Sequence, residues 1–339
     1  MIAIITKLRN LFSHRIIFDY VWLDGADPAG LRSITHVHYR RFFSLTASPP
    51  IKTFAGLSTN QSNEELSDCL LVPVRVYPNP FRANGKLVLA EVCTPEKQPH
   101  ASNYRHSLAQ VTRTTRSKGP LFGIEQEYYL TRNPGQDIFK SDTNYCGVGT
   151  ASVFSRAIVA RHLDLCLITN IHITGYNAEA TRGQWEFQVG PDDPLTVADD
   201  LIIARYILLR LAEEDNLNVS FNPVPENMSF NMSGAHVNFS DRKTRCANGL
   251  SALEQKIHKL ETSHIEAIAI LGTDNERRLR ANNPKYQSFK SGRLDRSAAI
   301  RIPLLTVRKN SGHFEDRRPG ANINPYRYLH FLLTKLYDL

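Results

Sequence analysis

Between Ile16 and Leu23 the chain runs through β-branched and aromatic residues and stops at Asp24-Gly25, which predicts a strand ending in a turn. Leu70 to Val76 and Lys86 to Val92 read as two further strands, separated by the turn element Tyr77-Pro78-Asn79-Pro80. Ser44 to Asp68 is dominated by Ser, Thr, Pro, Asn and Gly and predicts a long loop. Gln110 to Pro120 reads as a connection near a domain boundary, with Arg113, Arg116 and Lys118 solvated. After Leu121 the period changes. Val153, Ile158, Val159 and Leu163 make Ser152 to Thr169 helical, and Leu201, Ala204, Leu208 and Leu211 form one stripe of a helix over Val197 to Leu217. Leu250, Leu253, Ile257 and Leu260 are spaced 3, 4, 3 and mark a third helix; a last one is expected near Pro325 to Tyr337. Sheet segments interleaved with helices predict an α+β or α/β domain behind a small β-rich N-terminal one. The boundary is expected near residue 110, giving domains 1–110 and 111–339.

The length of 339 residues fits two domains at about 150 residues each. Apolar residues at 42% and charged residues at 22% exclude a disordered tail, a fibrous repeat and an acidic solvating protein. No run approaches the roughly 18 apolar residues of a membrane span. The apolar start, Met1 to Thr6, stops at Lys7 and is too short for a secretory core. Cys69, Cys93, Cys146, Cys166 and Cys246 are odd in number and widely spaced, with no CxxC pair, so neither a disulfide framework nor a zinc site is expected and a reducing cytoplasm fits. The charge of +8 leaves an anionic ligand open. A nucleic-acid partner is not expected, because the basic stripe interleaved with aromatics is absent.

Candidate chemistry begins at Phe122-Gly123-Ile124-Glu125-Gln126-Glu127-Tyr128. Residues two apart on a strand share a face, so Glu125 and Glu127 project side by side, which repels unless a cation sits between them. Isolated, this pair would read as a solvated strand face. It is followed by Asn177-Ala178-Glu179 and by Gln184-Trp185-Glu186-Phe187-Gln188-Val189-Gly190-Pro191, where Glu186 is flanked by aromatics. In Gly234-Ala235-His236-Val237-Asn238-Phe239-Ser240, the polar His236, Asn238 and Ser240 share one face. Gly312-His313-Phe314-Glu315-Asp316-Arg317-Arg318-Pro319 adds Glu315. Carboxylates with one imidazole suit Mg²⁺ or Mn²⁺ better than Zn²⁺. Arg277-Arg278 and the run Arg296 to Pro303 supply planar guanidinium forks for phosphate or carboxylate oxygens. Arg296 and Arg301 fall on opposite faces of a flat strand, so a bulge or turn is expected if both reach one ligand. Metals with arginines describe a phosphoryl-transfer site.

These motifs, in this order, resemble glutamine synthetase of the eukaryotic type. FGIEQEY, YCGVG at Tyr145 to Gly149, NAE with QWEFQVGP, GAHVNFS, DRSAAIRIP and HFEDRRP all fit, as do VWLDGADPAGLRS at Val21 to Ser33 and LVLAEV at Leu87 to Val92. The resemblance implies a β-grasp-like N-terminal domain and a catalytic domain with a curved antiparallel sheet backed by helices. It implies a homo-oligomer, a decamer of two pentameric rings, with each site completed by a neighbour's N-terminal domain. ATP would phosphorylate the γ-carboxylate of glutamate and an amine would displace the phosphate. Glu127, Glu179 and Glu186 would hold one metal, and Glu125, His236 and Glu315 the second. Arg296, Arg301 and Arg317 would face the transferring phosphate. Arg278 would hold the substrate α-carboxylate with Asn231 nearby, and Asn238 and Ser240 would lie towards the nucleotide.

The sequence departs from the family in three places. Phe54-Ala55-Gly56-Leu57-Ser58-Thr59 stands where the family has Phe-Asp-Gly-Ser-Ser-Thr, so Ala55 replaces the acid that binds ammonium. The run 279–288 lacks the acid of the family's closing flap and is shorter. Asn231-Met232-Ser233-Gly234 replaces Asn-Gly-Ala-Gly, which puts Met232 beside the glutamate pocket. Losing a positioned base typically costs about 10²–10⁴-fold, whereas a larger amine gains binding from its own body. The expectation is therefore an ATP-dependent amide ligase using an amine other than ammonium. An ordinary ammonia-using enzyme and a non-catalytic homologue are the alternatives.

Overall fold

A computed structural model of the chain describes residues 15–39, 48–63, 67–132, 144–224, 232–282 and 287–339. Two compact units emerge: Met1–His106 with Leu165–Ile171, and Ser107–Asp164 with His172–Leu339.

The first unit is built on a sheet of five strands, β1 (Arg15–Leu23), β2 (Leu31–Tyr39), β3 (Lys52–Ala55), β4 (Asp68–Pro78) and β5 (Gly85–Cys93), in the order β2-β1-β5-β4-β3. β1 and β5 run parallel and the other pairs antiparallel. Phe18, Tyr20 and Trp22 alternate along β1 and pack on Leu71, Val88, Ala90 and Val92. One expectation is corrected here. The stretch Ser44 to Asp68 is not all loop, because β3 forms inside it. Its single large apolar residue, Phe54, rests on Trp22 with ring centroids 5.1 Å apart, and pairing with β4 supplies the rest. β2 is a largely polar strand whose hydrogen-bonding partner, β1, outweighs its weak apolar pattern.

A second correction concerns Gln110 to Pro120. Helix α1 (Tyr104–Thr115) runs into it, followed by a short 3₁₀ turn, Arg116–Lys118. Leu108, Val111 and Thr115 recur at helical spacing and are buried. The weak helix formers Thr112, Thr114 and Thr115 mask that pattern in the sequence.

The second unit carries eight strands: β6 (Leu121–Thr131), β7 (Ile173–Ala178), β8 (Gln184–Asp192), β9 (Asn218–Ser220), β10 (Ala235–Ser240), β11 (Ser291–Arg293), β12 (Ile300–Ile302) and β13 (Phe314–Asp316). Their order is β11-β12-β13-β10-β6-β8-β7, with β9 paired to β6. All pairs are antiparallel except β11 with β12. The helices are α2 (Arg156–Ile168), α3 (Pro194–Glu214), α4 (Arg242–Arg245), α5 (Leu250–Thr262), α6 (His264–Ile268), α7 (Asn275–Asn282), α8 (Leu304–Lys309) and α9 (Pro325–Tyr337). α3 starts cleanly: the Asp193 carboxylate accepts from Leu195 N and Thr196 N, and Pro194 occupies the first turn.

One face of this sheet packs on helices. Phe122, Ile124, Phe187, Val237, Phe239, Ile300 and Phe314 are all buried. Polar groups on that side are paired. Arg205 of α3 donates to Gln126 Oε1 at 2.9 Å and to Ile323 O at 3.0 Å, and burial lowers its pKa to about 9. Arg318 donates to Asp316 Oδ1 at 2.9 Å, and the Tyr328 hydroxyl of α9 donates to the same carboxylate. The opposite parity, Glu125 and Glu127, turns to the other face. Among the described residues no helix is long and apolar enough to cross a membrane.

Candidate active site

Strand register assembles the site. Glu127 on β6 lies opposite Glu186 on β8, which lies opposite Asn177 on β7. Glu125 lies opposite His236 on β10, Asn238 opposite Glu315 on β13, and Glu315 opposite Arg301 on β12. Residues directly opposite one another share a face and bring their Cβ atoms to within about 5 Å. A row of acids, one imidazole and one arginine therefore crosses five strands on the face away from the helices.

His236 sits at the centre. Its Nδ1 is 3.7 Å from Glu125 Oε2 and 3.5 Å from Glu315 Oε1, and its Nε2 is 3.9 Å from Glu127 Oε1. Two groups of potential ligand atoms result, Glu125–His236–Glu315 and Glu127–Glu186–His236, each with its atoms within 4.8 Å of one another. The first is the set the resemblance implies. The second has His236 where the resemblance has Glu179. Glu179 lies just past β7, accepts from Asn177 Nδ2 at 2.9 Å, and makes its charge felt at Glu186.

The electrostatics match a cation site. Burial, then the charges of Glu125 and Glu127, push the Glu186 carboxyl up to about 9, even though Gln188 donates to it. Burial also acts to raise Glu125, but His236, Asn238 and Arg317 outweigh it and hold its pKa down at about 2. Asn238 Nδ2 reaches Glu125 Oε1 at 2.7 Å. Glu315 is gripped by Arg301 Nη1 at 2.7 Å on one oxygen and by Arg317 on the other. Oxygen donors crowded until one of them takes up a proton fit a hard divalent ion, which would displace that proton.

The remaining expected residues fall as follows. Arg278, on α7, is buried, donates to Arg318 O at 3.1 Å and Arg317 O at 3.0 Å, and lies 3.3 Å from His236 Nε2. Burial lowers its pKa to about 10, and its Nε has no protein partner. Arg296 is exposed in the turn between β11 and β12, close enough to influence the Tyr145 phenol. A turn lies between Arg296 and Arg301, the condition expected for both to reach one ligand. Met232 is half-buried; Asn231 lies outside the described residues, as do 283–286 of the flap run. Ala55 is exposed at the end of β3, directly opposite Asp68 of β4.

A cavity of about 340 Å³ opens beside the row, lined in part by Gly123, Gln188, Pro191, Asn238, Ser240 and His313. Pro191, Arg245 and His313 were not singled out from the sequence; Pro191 and His313 stand inside motifs read for their carboxylates. Tyr129 was also missed. It is buried and follows Glu125 and Glu127 by the same two-residue step, so strand parity alone would have found it. Gln184 Nε2 and Gly234 N both donate to Glu127 Oε2, at 3.1 and 2.9 Å.

Gly234 leaves no room for a side chain. An added Cβ would meet Arg278 Nη2 at 2.4 Å and His236 Nε2 at 2.9 Å. Gly234→Ala is expected to displace both groups and to lower turnover by at least about tenfold, with folding retained by circular dichroism. Wild-type turnover in this variant would show that the contact yields freely.

Acids grouped closely enough to hold a divalent ion, arginines held on one of them, and an adjoining cavity suit an enzyme site that handles phosphate. The catalytic domain of glutamine synthetase matches residues 102–335 of the chain. The glutamine synthetase of Tuber borchii is 41% identical over 92% of this chain and 89% of its own length. That of Candida glabrata is 39% identical over 92% and 86%, and that of Saccharomyces cerevisiae 38% over 92% and 86%. The chain belongs to the glutamine synthetase family, and with it to the ATP-dependent ligases that form carbon–nitrogen bonds.

Proposed function

We propose that the protein joins an amine to the γ-carboxylate of glutamate, or of a similar acid, coupled to ATP cleavage, and that the amine is not ammonium. The ligase half of this reading rests on the row Glu186–Glu127–Glu125–His236–Glu315–Arg301. Glu125, His236 and Glu315 would hold one Mg²⁺ or Mn²⁺, and Glu127 and Glu186, with Glu179 nearby, the other. When bound, such ions neutralise phosphate oxygens during transfer. Arg301 and Arg317, loosened from Glu315, would turn to the phosphoryl group, joined by Arg296. Arg278 would hold the acid's α-carboxylate beside Met232 and Asn231. Asn238 and Ser240 would line the nucleotide's side. In a decamer of the family type, Ala55 would come from a neighbouring subunit.

The amine half rests on Ala55. Ammonium binds as a cation and must lose a proton before it attacks. An alanine offers neither a counter-charge nor a base, and the run 279–288 carries no acid. Among the described residues, Asp68, exposed and cross-strand from Ala55, offers an acid beside it. It would meet the positive charge of a longer amine, whose apolar body would occupy the space over Ala55. A second reading, an ordinary ammonia-using enzyme, is favoured by the names of the relatives.

Two experiments test this reading. With ¹⁸O in the γ-carboxylate of glutamate, phosphate released from ATP is expected to carry the label, because the carboxylate oxygen leaves with it; unlabelled phosphate would contradict the ligase. Ala55→Asp is expected to give no large gain in ammonium use, because the flap acid is absent too. Full glutamine synthesis by this variant would show that one residue, not a reshaped pocket, selects the amine.

A further inference from the structure

Three chain segments lead into the cavity, and all three are basic. Leu121 and Ser240, both on its wall, are paired at the ends of β6 and β10. The segment entering β6 carries Arg116 and Lys118. The segment leaving β10 carries Arg242, Lys243 and Arg245, and the segment that reaches His313 carries Arg308 and Lys309. All seven cations are exposed.

The segments are tied together. Arg242 Nη1 donates to Ser117 O at 3.2 Å, Arg245 Nη2 to Gly119 O at 2.8 Å, and Gly312 N to Thr244 O at 2.8 Å. Arg245 also donates to Ser240 Oγ at 2.9 Å, at the cavity wall. The one acid in these segments, Asp241, is turned inward. It caps α4 and takes Lys256 Nζ at 3.0 Å and the Tyr337 hydroxyl at 3.0 Å. Among the described residues none of the seven cations forms an ion pair, in contrast to Arg161, Arg293 and Lys335 elsewhere on the surface.

We infer that these seven cations form an electrostatic funnel that draws a nucleoside triphosphate into the cavity. The inference rests on the reading above that Asn238 and Ser240, both on the wall of this cavity, face the nucleotide. Arg245 lines the cavity and the other six cations lie on the three tethered segments that reach its wall, with the local acid neutralised from behind, so their charges add to one positive field. Fields of this kind raise the on-rate of an oppositely charged ligand by about 10- to 10³-fold and fade as salt rises. The exposed large apolar side chains of these segments, Leu304 and Leu305, are aliphatic. Without an aromatic platform for bases, the patch suits a mobile polyphosphate rather than a nucleic-acid strand.

The test compares the full-length protein with K118E/K243E/K309E by stopped-flow, using a fluorescent ATP derivative with Mg²⁺. None of these three side chains belongs to the proposed catalytic or binding groups. At about 20 mM salt the variant's association rate constant is expected to fall about tenfold or more, with its dissociation rate and saturated turnover within about twofold of wild type. At 1 M salt, where the screening length is about 3 Å, the two proteins should converge. Equal, salt-independent association rates in both would overturn the funnel while leaving the nucleotide site standing. Absence of nucleotide binding in the wild-type protein would overturn both.

Discussion

Glu315→Ala is expected to lower turnover by about 10³-fold or more and to weaken Mn²⁺ binding by at least tenfold. Glu315 stands where three requirements meet. It faces His236 as a potential metal ligand at 3.5 Å, its two oxygens hold Arg301 and Arg317, and register places it beside Asn238. Removing it deletes an oxygen donor and leaves two guanidiniums without their anchor on the site floor. Losing one preorganised electrostatic group in such a site costs about 10²–10³-fold, and here a candidate metal ligand goes with it. Steady-state phosphate release with a productive amine, together with Mn²⁺ titration by paramagnetic resonance, measures both effects. Glu179→Ala is expected to be milder, about tenfold, because Glu179 stands outside the two tightest groups. Equal losses in the two variants would show that Glu179 is a full ligand.

The largest effect on stability is expected at Arg318, on the other side of the sheet. Its guanidinium is fully buried against Asp316, the Tyr328 hydroxyl and His264 Nδ1 at 3.1 Å. Burial acts to lower its pKa, but Asp316 and then Tyr328 outweigh that and hold it above the usual arginine value. Arg318→Ala leaves Asp316 buried, unbalanced and still committed to Tyr328. Breaking a buried pair from one side costs about 3–5 kcal/mol, or roughly 10 °C in melting temperature for a unit of this size. Thermal denaturation should show that drop. Because Arg318 O also accepts from Arg278 and Asn275, the damage should reach the position of Arg278. A variant melting within about 2 °C of wild type would contradict this account of the back face.

Much of this architecture can be read from side-chain periodicity. Glu125, Glu127, His236 and Asn238 announce themselves because strands alternate, and the helices at Leu250–Thr262 and Pro325–Tyr337 because their apolar stripes recur at 3.6. Periodicity says which face a residue takes but not which neighbour stands opposite. That depends on strand register, which turns and long-range pairing decide. The meeting of Arg301 with Glu315 is therefore visible only in the fold, and that of Glu127 with Glu186 follows from the family resemblance rather than from periodicity. β3 and α1 were missed for a related reason. Both are weakly apolar, and β3 owes its existence to β4 rather than to local preference. Arg205 and Gln126 were equally hidden, since nothing in a sequence marks which polar groups will be buried together.

The basic balance divides in the same way. Arg278, Arg301 and Arg317 belong to the site floor, whereas Arg245 lines the neighbouring cavity and Arg116, Lys118, Arg242, Lys243, Arg308 and Lys309 lie on the chain segments that reach its wall. Read along the chain, these seven look like scattered solvated charges. Only the Leu121–Ser240 pairing and the hydrogen bonds of Arg242 and Arg245 tie their segments together.

Phosphate release from ATP in the presence of glutamate, Mg²⁺ and a panel of amines, with ammonium as one member and products identified by mass spectrometry, decides which amine the protein uses. At least one larger amine is expected to stimulate release and to appear in an amide with the acid, while ammonium at the same concentration does so at least about tenfold less well. Stimulation by ammonium alone, with glutamine as the only product, would instead show an ordinary ammonia-using enzyme.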